Sequence, residues 1–136
     1  MIQKLSEIDA RQKVRFSLQL VELADEPKIV GSSNITLVLY QKEPENDYLT
    51  GFSSEKLALS LQCGVPVIAF NYPSYAHIRK EGCGILIDEL SQIPQAVKKI
   101  LANQARYSSR AYRTFEKHYS FEANFQKVLA ALEELD

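Results

Sequence analysis

The sequence predicts an α/β domain built on a doubly wound parallel sheet of about four strands covered by helices. Short, almost continuous apolar runs at residues 35–40 and 65–70 are typical of strands that are buried on both faces. Amphipathic segments lie between these runs. Strands that alternate with helices indicate parallel pairing through helical crossovers, so the order of the elements supports this fold class.

Length and composition are consistent with a single domain that carries no strong net charge. The chain has 136 residues, with 16 Lys and Arg against 17 Asp and Glu, and its net charge is −1. This balance gives no indication of nucleic-acid binding. No apolar run reaches the ~18 residues of a membrane helix, and two cysteines are too few for a disulfide framework or a metal site. We therefore expect a cytoplasmic protein without a bound metal.

Two helices and two strands are predicted before residue 41. Apolar residues at three-residue spacing predict a helix over residues 2–12, and a β-rich alternating run predicts a strand over residues 14–21. Pro27 is suited to the first turn of a short helix that ends near Gly31. Residues 35–40 form the second predicted strand.

The best-defined stretch of the sequence is a serine-capped helix that leads into a buried strand. Ser53 and Ser54 begin an amphipathic segment, and Gly64 marks its end because glycine readily adopts the left-handed conformation. The strand at residues 65–71 follows at once. Before the helix, residues 41–52 break all periodicity and predict the longest loop of the chain.

The remaining elements are one helix, one strand and three consecutive helices. Pro73 and Ser74 begin a short helix that ends at Glu81, and residues 85–87 form a short strand. Three amphipathic helices then follow without a strand between them, and Ser120 caps the last. They span residues 93–101, 105–119 and 121–135.

The start of the serine-capped helix is also the predicted ligand site. Helix N-termini bind anions because free N–H groups and the positive end of the dipole meet there, and Lys56 adds a full charge. In parallel sheets, ligands bind beyond the carboxyl ends of the strands, which is where the long loop and the turn at residues 71–74 begin. The predicted phosphate-binding residues are Tyr40, Gly51, Ser53, Ser54, Lys56 and Asn71.

Most of these residues also have a purely structural interpretation, and for Tyr40, which lies at a strand end where it can cover the core, that interpretation is favoured. Ser53 and Ser54 are plausible as simple helix caps, and Gly51 is suited to a loop turn. A lysine near a helix N-terminus is unfavourable without an anion, which favours a ligand role for Lys56. The histidines receive no catalytic role, because His77 is predicted on a surface helix and His118 at a helix C-terminus.

Several short motifs, taken in order, resemble the nucleotide-sugar-binding half of glycosyltransferases with the GT-B architecture. They are Glu-Lys-Leu at residues 55–57, Cys-Gly-Val-Pro-Val-Ile at residues 63–68, Gly-Cys-Gly-Ile-Leu-Ile-Asp at residues 82–88, and His-Tyr-Ser-Phe at residues 118–121. The resemblance implies a Rossmann-like donor domain over residues 1–136 that lacks the family's N-terminal acceptor domain.

The resemblance also implies a ligand and a partner. The ligand would be a nucleoside-diphosphate sugar, with its pyrophosphate held by Ser53, Ser54 and Lys56, and no cofactor is implied. The partner would be the missing acceptor domain or a partner subunit, through which a cytoplasmic protein could attach peripherally to the inner membrane. No catalytic residue is assigned.

An alternative function is a non-catalytic binding or assembly module with a changed donor site. Many retaining members of the family carry two glutamates eight positions apart, and the second reaches the donor ribose. Gly51 and Leu59 stand at the matching positions of this chain. A signalling receiver domain is a further alternative, but the early strands lack the acidic pair that such domains need for Mg²⁺.

Overall fold

The computed structural model describes residues 19–40 and 50–134, which form a three-stranded parallel sheet packed against α-helices. Short 3₁₀ turns at Pro73–Tyr75 and Leu90–Gln92 precede α3 and α4. In chain order the elements are α1 (Glu26–Gly31), β1 (Thr36–Val38), α2 (Glu55–Gln62), β2 (Val67–Phe70), α3 (Ala76–Glu81), β3 (Gly84–Ile87), α4 (Ile93–Leu101), α5 (Gln104–His118) and α6 (Phe121–Glu133).

The three strands lie in the order β1-β2-β3, and both pairs are parallel. Val38 of β1 lies opposite Ala69 of β2, which lies opposite Leu86 of β3. Parallel pairing requires a crossover between consecutive strands, and α2 and α3 supply these connections. The carboxyl ends of all three strands therefore lie at one edge of the sheet.

The prediction of a doubly wound, Rossmann-like sheet of about four strands is wrong, although the α/β class is correct. The described sheet has three strands of three or four residues each, and helices dominate the rest of the described chain. The helix predicted at residues 2–12 and most of the strand predicted at residues 14–21 lie outside the described residues. Residues 19–21 are irregular, and Leu20 is fully exposed instead of packing against β1.

The sheet separates two layers of apolar side chains. Val38, Val67 and Ala69 point to one side, where they pack in a cluster with Leu57 and Leu61 of α2. This cluster also contains buried residues of α3 and α5. On the other side, Ile68 and Ile87 pack with Ala96 and Ile100 of α4. Side chains alternate along a strand, so the apolar runs of β2 and β3 supply both layers.

Two glycines end helices as the sequence indicates. Gly64 follows α2 with a φ of 67°, and Gly82 follows α3 with a φ of 68°. Both values lie in the left-handed region, which glycine adopts without a steric penalty. The predicted end of the serine-capped helix at Gly64 is confirmed.

The close pairing of β2 and β3 depends on glycine at position 84. A Cβ atom there would overlap the Val67 carbonyl oxygen and would lie 2.9 Å from Ile78 Cγ2. We expect Gly84→Ala to lower the free energy of unfolding by about 2–3 kcal/mol, because the strand or α3 must shift to make room. Urea denaturation of the purified chain measures this change.

Gly31→Ala is the matched control for this substitution. The nearest atom to a Cβ at Gly31 is Cys63 Cβ at 3.8 Å, which is an ordinary contact. Alanine also restricts the unfolded chain, so this variant should be neutral or more stable by about 0.4–1 kcal/mol. Equal losses of stability in the two variants would contradict the packing role of Gly84.

Candidate functional site

The candidate site lies at the carboxyl edge of the sheet, where α2 begins. Tyr40 follows β1, and Ser54 is the N-cap residue of α2. The Ser54 side chain accepts a hydrogen bond from Leu57 N at 3.2 Å, as expected for a cap. The predicted serine cap is therefore confirmed at Ser54.

The hydroxyl groups of Tyr40 and Ser54 form a pair at this edge. Their oxygens lie 2.9 Å apart, and Ser54 is only 4% exposed. A further hydrogen bond fixes the backbone of Tyr40. The Tyr72 hydroxyl donates to the Tyr40 carbonyl oxygen at 3.0 Å. The pair carries two hydroxyl hydrogens and uses one internally, so the other is available to an acceptor.

Lys56 lies beside this pair with an uncompensated charge. Its Nζ is 5.6 Å from the centroid of the Tyr40 ring, and its side chain is exposed. Within residues 19–40 and 50–134, no carboxylate lies within ion-pair distance of this nitrogen. A cation–π contact at an exposed site contributes only about 0.5–1 kcal/mol, so the ammonium group remains able to bind an anion.

The first turn of α2 also offers backbone donors. The N–H groups of Glu55 and Lys56 precede the first intrahelical hydrogen bonds, and they have no acceptor among the described residues. Ser53 is exposed next to them, with its own N–H bonded to the Thr50 carbonyl oxygen at 3.1 Å. Two amides, one hydroxyl hydrogen and one ammonium group therefore face the same corner.

An apolar cavity lies along α2 next to this corner. It has a volume of about 360 Å³, and Glu55, Lys56 and Leu59 line one side of it. Ile29 and Val30 of α1 line another side. Leu59 therefore places apolar surface beside Lys56, at the position where the sequence comparison expected a glutamate in many related enzymes.

Asn71 lies at the same edge but makes contacts of its own. Its Nδ2 donates to Asp88 Oδ1 at 2.9 Å, and its Oδ1 accepts from Arg79 Nη2 at 2.8 Å. It lines a separate cavity of about 300 Å³ at the ends of β2 and β3. The structure therefore brings Tyr40, Ser54 and Lys56 together, whereas the Asn71 side chain is bonded to Arg79 and Asp88.

Gly51 allows two chain segments to approach each other. It is buried, and a Cβ atom at this position would overlap the Ser74 carbonyl oxygen. Its own carbonyl oxygen accepts a hydrogen bond of 2.6 Å from the Tyr119 hydroxyl at the end of α5. Gly51 therefore positions the turn before α2.

A family comparison adds to this geometry. A family model described as "Glucosyltransferase 3-like, C-terminal domain" matches residues 28–132, from within α1 to near the end of α6. The chain belongs to this family. It is therefore a glycosyltransferase-related domain, which agrees with the sequence resemblance at this coarse level. No curated protein and no solved structure matches the chain significantly.

A histidine and a tyrosine that the sequence analysis passed over support the site of this glucosyltransferase 3-like domain. His77 is only 8% exposed, so its predicted surface position is wrong. Its Nε2 lies 2.7 Å from the Tyr119 hydroxyl, and its Nδ1 lies 3.1 Å from the Ser74 carbonyl oxygen. The Phe52 ring stacks on the imidazole with a centroid distance of 4.3 Å.

When His77 is neutral, this network has fewer donor hydrogens than hydrogen-bonding contacts. Three contacts link Ser74, His77, Tyr119 and Gly51, but a neutral imidazole and one hydroxyl supply only two hydrogens. Protonation would supply the third. Burial nevertheless lowers the pKa of His77, because desolvation disfavours its charged form more than the Ser74 carbonyl favours it.

His118 is also engaged with a carboxylate, which the sequence spacing did not indicate. Glu81 Oε1 accepts from Lys117 Nζ at 2.7 Å and lies 3.0 Å from His118 Nε2. The hydrogen bonds from Lys117 and then His118 lower the pKa of Glu81 to about 2. These contacts join the end of α3 to the end of α5.

Two further features of the described residues bear on function. No helix in the described ranges is long and apolar enough to cross a membrane. The same residues contain no group of three or more His, Cys, Asp or Glu side chains arranged to hold a metal ion.

Removal of the Tyr119 hydroxyl should destabilise the chain. Tyr119→Phe leaves the Gly51 carbonyl and the His77 ring without their shared partner, which should cost about 1–2 kcal/mol of unfolding free energy. Tyr112→Phe on the same helix is the control, because Tyr112 is exposed and its hydroxyl interacts with Glu116 at the surface. Urea denaturation compares the two, and a loss no greater at Tyr119 than at Tyr112 would contradict the network.

Stability should also decrease as the pH falls below about 6.5. The pKa of His77 in the folded chain lies below its ordinary value of 6.5, so the unfolded chain binds more protons in this range. Glu81 does not contribute there, because its stabilising effect is lost only between pH 4.5 and about 2.

Urea denaturation at pH 7.5 and at pH 5.5 tests this dependence, with both values chosen to bracket the ordinary histidine pKa of about 6.5. His77→Gln should show a smaller decrease than the native chain. A native chain that is equally stable or more stable at the lower pH would disprove the effect.

Proposed function

We propose that this domain binds a nucleoside-diphosphate sugar at the start of α2 and presents it for glycosyl transfer. The family name refers to a glucosyltransferase, which supports glucose as the candidate sugar in this proposal. The observation that carries the proposal is the Lys56 ammonium group, which has no ion-pair partner among residues 19–40 and 50–134. It lies beside the Tyr40–Ser54 hydroxyl pair and two amides that have no acceptor in those ranges. Lysine in the first turn of a helix is electrostatically unfavourable until an anion occupies the site.

A pyrophosphate group matches the donors at this corner. Its oxygens accept hydrogen bonds, and its charge is attracted both by the helix dipole and by Lys56. In this proposal Tyr40, Ser54 and Lys56 contact the pyrophosphate, and exposed Ser53 lies beside them. Gly51 positions the turn, while Asn71 lies further along the same edge.

The same contacts would assist the reaction. In glycosyl transfer the bond between the anomeric carbon and the diphosphate oxygen breaks, and the acceptor oxygen forms a new bond to that carbon. The acceptor loses its proton to a base, and the leaving diphosphate gains negative charge. Donors aimed at that charge stabilise the transition state more than the ground state, so Lys56 and the amides would contribute to catalysis.

The base and the acceptor site would come from another domain or subunit. The family description refers to a C-terminal domain, which supports a partner domain in the whole enzyme. Helix α6 exposes a row of apolar side chains that a partner could cover, and contiguous exposed apolar surface is typical of interaction sites. These residues are Phe121, Phe125, Val128, Leu129 and Leu132.

Nucleotide binding by the chain tests the donor site. Uridine and guanosine diphosphates should bind and raise the melting temperature, and Lys56→Ala should weaken binding about tenfold, because a charge-assisted hydrogen bond is lost. Lys98→Ala removes the same charge from an exposed position on α4 and should change affinity less than about twofold. Isothermal titration calorimetry measures all three proteins.

Two outcomes would contradict the proposal. One is the absence of binding of either diphosphate at millimolar concentration, which would favour a non-catalytic module. The other is binding that Lys56→Ala and Lys98→Ala weaken equally, which would place the nucleotide away from α2.

A further inference from the structure

A second group of cations lies away from the proposed donor site, at the amino end of β3. It surrounds a cavity of about 540 Å³ between β3, α4 and α5. No aspartate or glutamate is among the described residues that line this cavity. Four of the chain's 16 Lys and Arg residues line it. The cationic residues are Arg79, Lys99, Arg106 and Arg110, which we call the basic cavity residues.

The arrangement follows from the periodicity of α5. Arg106, Arg110, Arg113 and Lys117 are spaced by four, three and four residues, which places them on one face of the helix. Lys117 is paired with Glu81. In the described part of the chain, the other three have no carboxylate within ion-pair distance. Like charges at this spacing repel, so the row is unfavourable until an anion neutralises it.

The Arg110 side chain lies over Gly82. A Cβ atom at Gly82 would overlap the Arg110 guanidinium group and would lie 3.4 Å from Arg110 Cδ. The glycine therefore allows the guanidinium to pack directly on the backbone.

Arg106 and the edge of β3 add to the site. Arg106 lies in the first turn of α5, where a cation is unfavourable unless an anion is bound. In the described sheet β3 pairs only with β2, so alternate backbone N–H groups along its other side face the cavity. Arg79 already donates to Asn71, which leaves Lys99, Arg106 and Arg110 as the principal binding groups.

We propose that the basic cavity is a second anion site, separate from the donor site, that binds a group carrying two or more phosphate charges. Guanidinium groups bind phosphate oxygens through paired hydrogen bonds, and several of them around one cavity suit a phosphate better than a single carboxylate. The volume admits a group larger than one phosphate. Two sources fit this chemistry: a soluble phosphate ester or diphosphate, and a phosphorylated lipid headgroup.

The test uses inorganic pyrophosphate and the full chain carrying Lys56→Ala, so that binding at the proposed donor site is about tenfold weaker in every protein compared. Titration calorimetry should detect pyrophosphate binding to this protein. Adding Lys99→Gln and Arg106→Gln should weaken binding about 100-fold, or about tenfold for each cation. Both side chains are exposed, so the variant should keep its fold, which its melting temperature will verify.

Lys98→Gln together with Lys127→Gln is the matched control in the same background. It removes two positive charges from exposed positions that do not line the cavity, and it should change affinity less than about twofold.

Vesicles of phosphatidylcholine with phosphatidic acid distinguish the two sources in a sedimentation assay. Binding of pyrophosphate alone assigns a soluble ligand, and vesicle binding that requires Lys99 and Arg106 assigns a headgroup.

Three results would overturn the proposal. The Lys56→Ala chain might bind neither pyrophosphate nor the vesicles. Its binding could fall equally in the cavity variant and in the control. It could also bind an acidic peptide such as oligoglutamate and not pyrophosphate, which would exclude phosphate as the ligand. Because Lys56→Ala is present in every protein, a difference between the cavity variant and its control reports on the basic cavity and not on the donor site.

Discussion

The position of the start of α2 depends on a hydrogen bond between the preceding turn, at Gly51, and Tyr119 at the end of α5. An eight-residue helix is too short to be stable alone, so its position must come from tertiary contacts. Leu57 and Leu61 anchor its buried face in the core. Tyr119 fixes Gly51, and His77 supports Tyr119 in turn. In our proposal the first-turn amides and Lys56 bind an anion, and the turn before them is tied to α3 and α5.

The net charge of the chain is close to zero, but cationic side chains lie at two separate positions at opposite ends of the sheet. Lys56 lies at the carboxyl edge of the sheet, whereas Lys99, Arg106 and Arg110 surround the amino end of β3. At the end of α5, Glu81 forms an ion pair with Lys117 and also contacts His118. The charge of Lys117 is therefore neutralised within the domain. The first position is the donor site that we propose for this member of the glucosyltransferase 3-like family. The second position is an additional site in our proposals.

The main error of the sequence analysis concerns the number of strands. An alternating β-rich run shows that a segment could pair with a sheet, but pairing itself needs a neighbour and buried side chains. Leu20 is exposed, and residues 19–21 form no strand. The Arg106, Arg110 and Arg113 row was visible as a helical period in the sequence, and attention to charge as well as apolar spacing could have found it.

Local chemistry was sufficient to locate α2, its Ser54 cap, the glycine at its end and the apolar strand that follows, because each feature depends on residues within one or two turns. The sequence also placed Tyr40 and Lys56 at a common edge. Only the tertiary structure decided that His77 is buried against Tyr119 and that Gly51 packs on Ser74. These contacts join residues 42 positions apart in one case and 23 in the other (74 − 51), and no local pattern encodes such distant partners. The number of strands and the basic cavity have the same origin, since both require distant segments to meet.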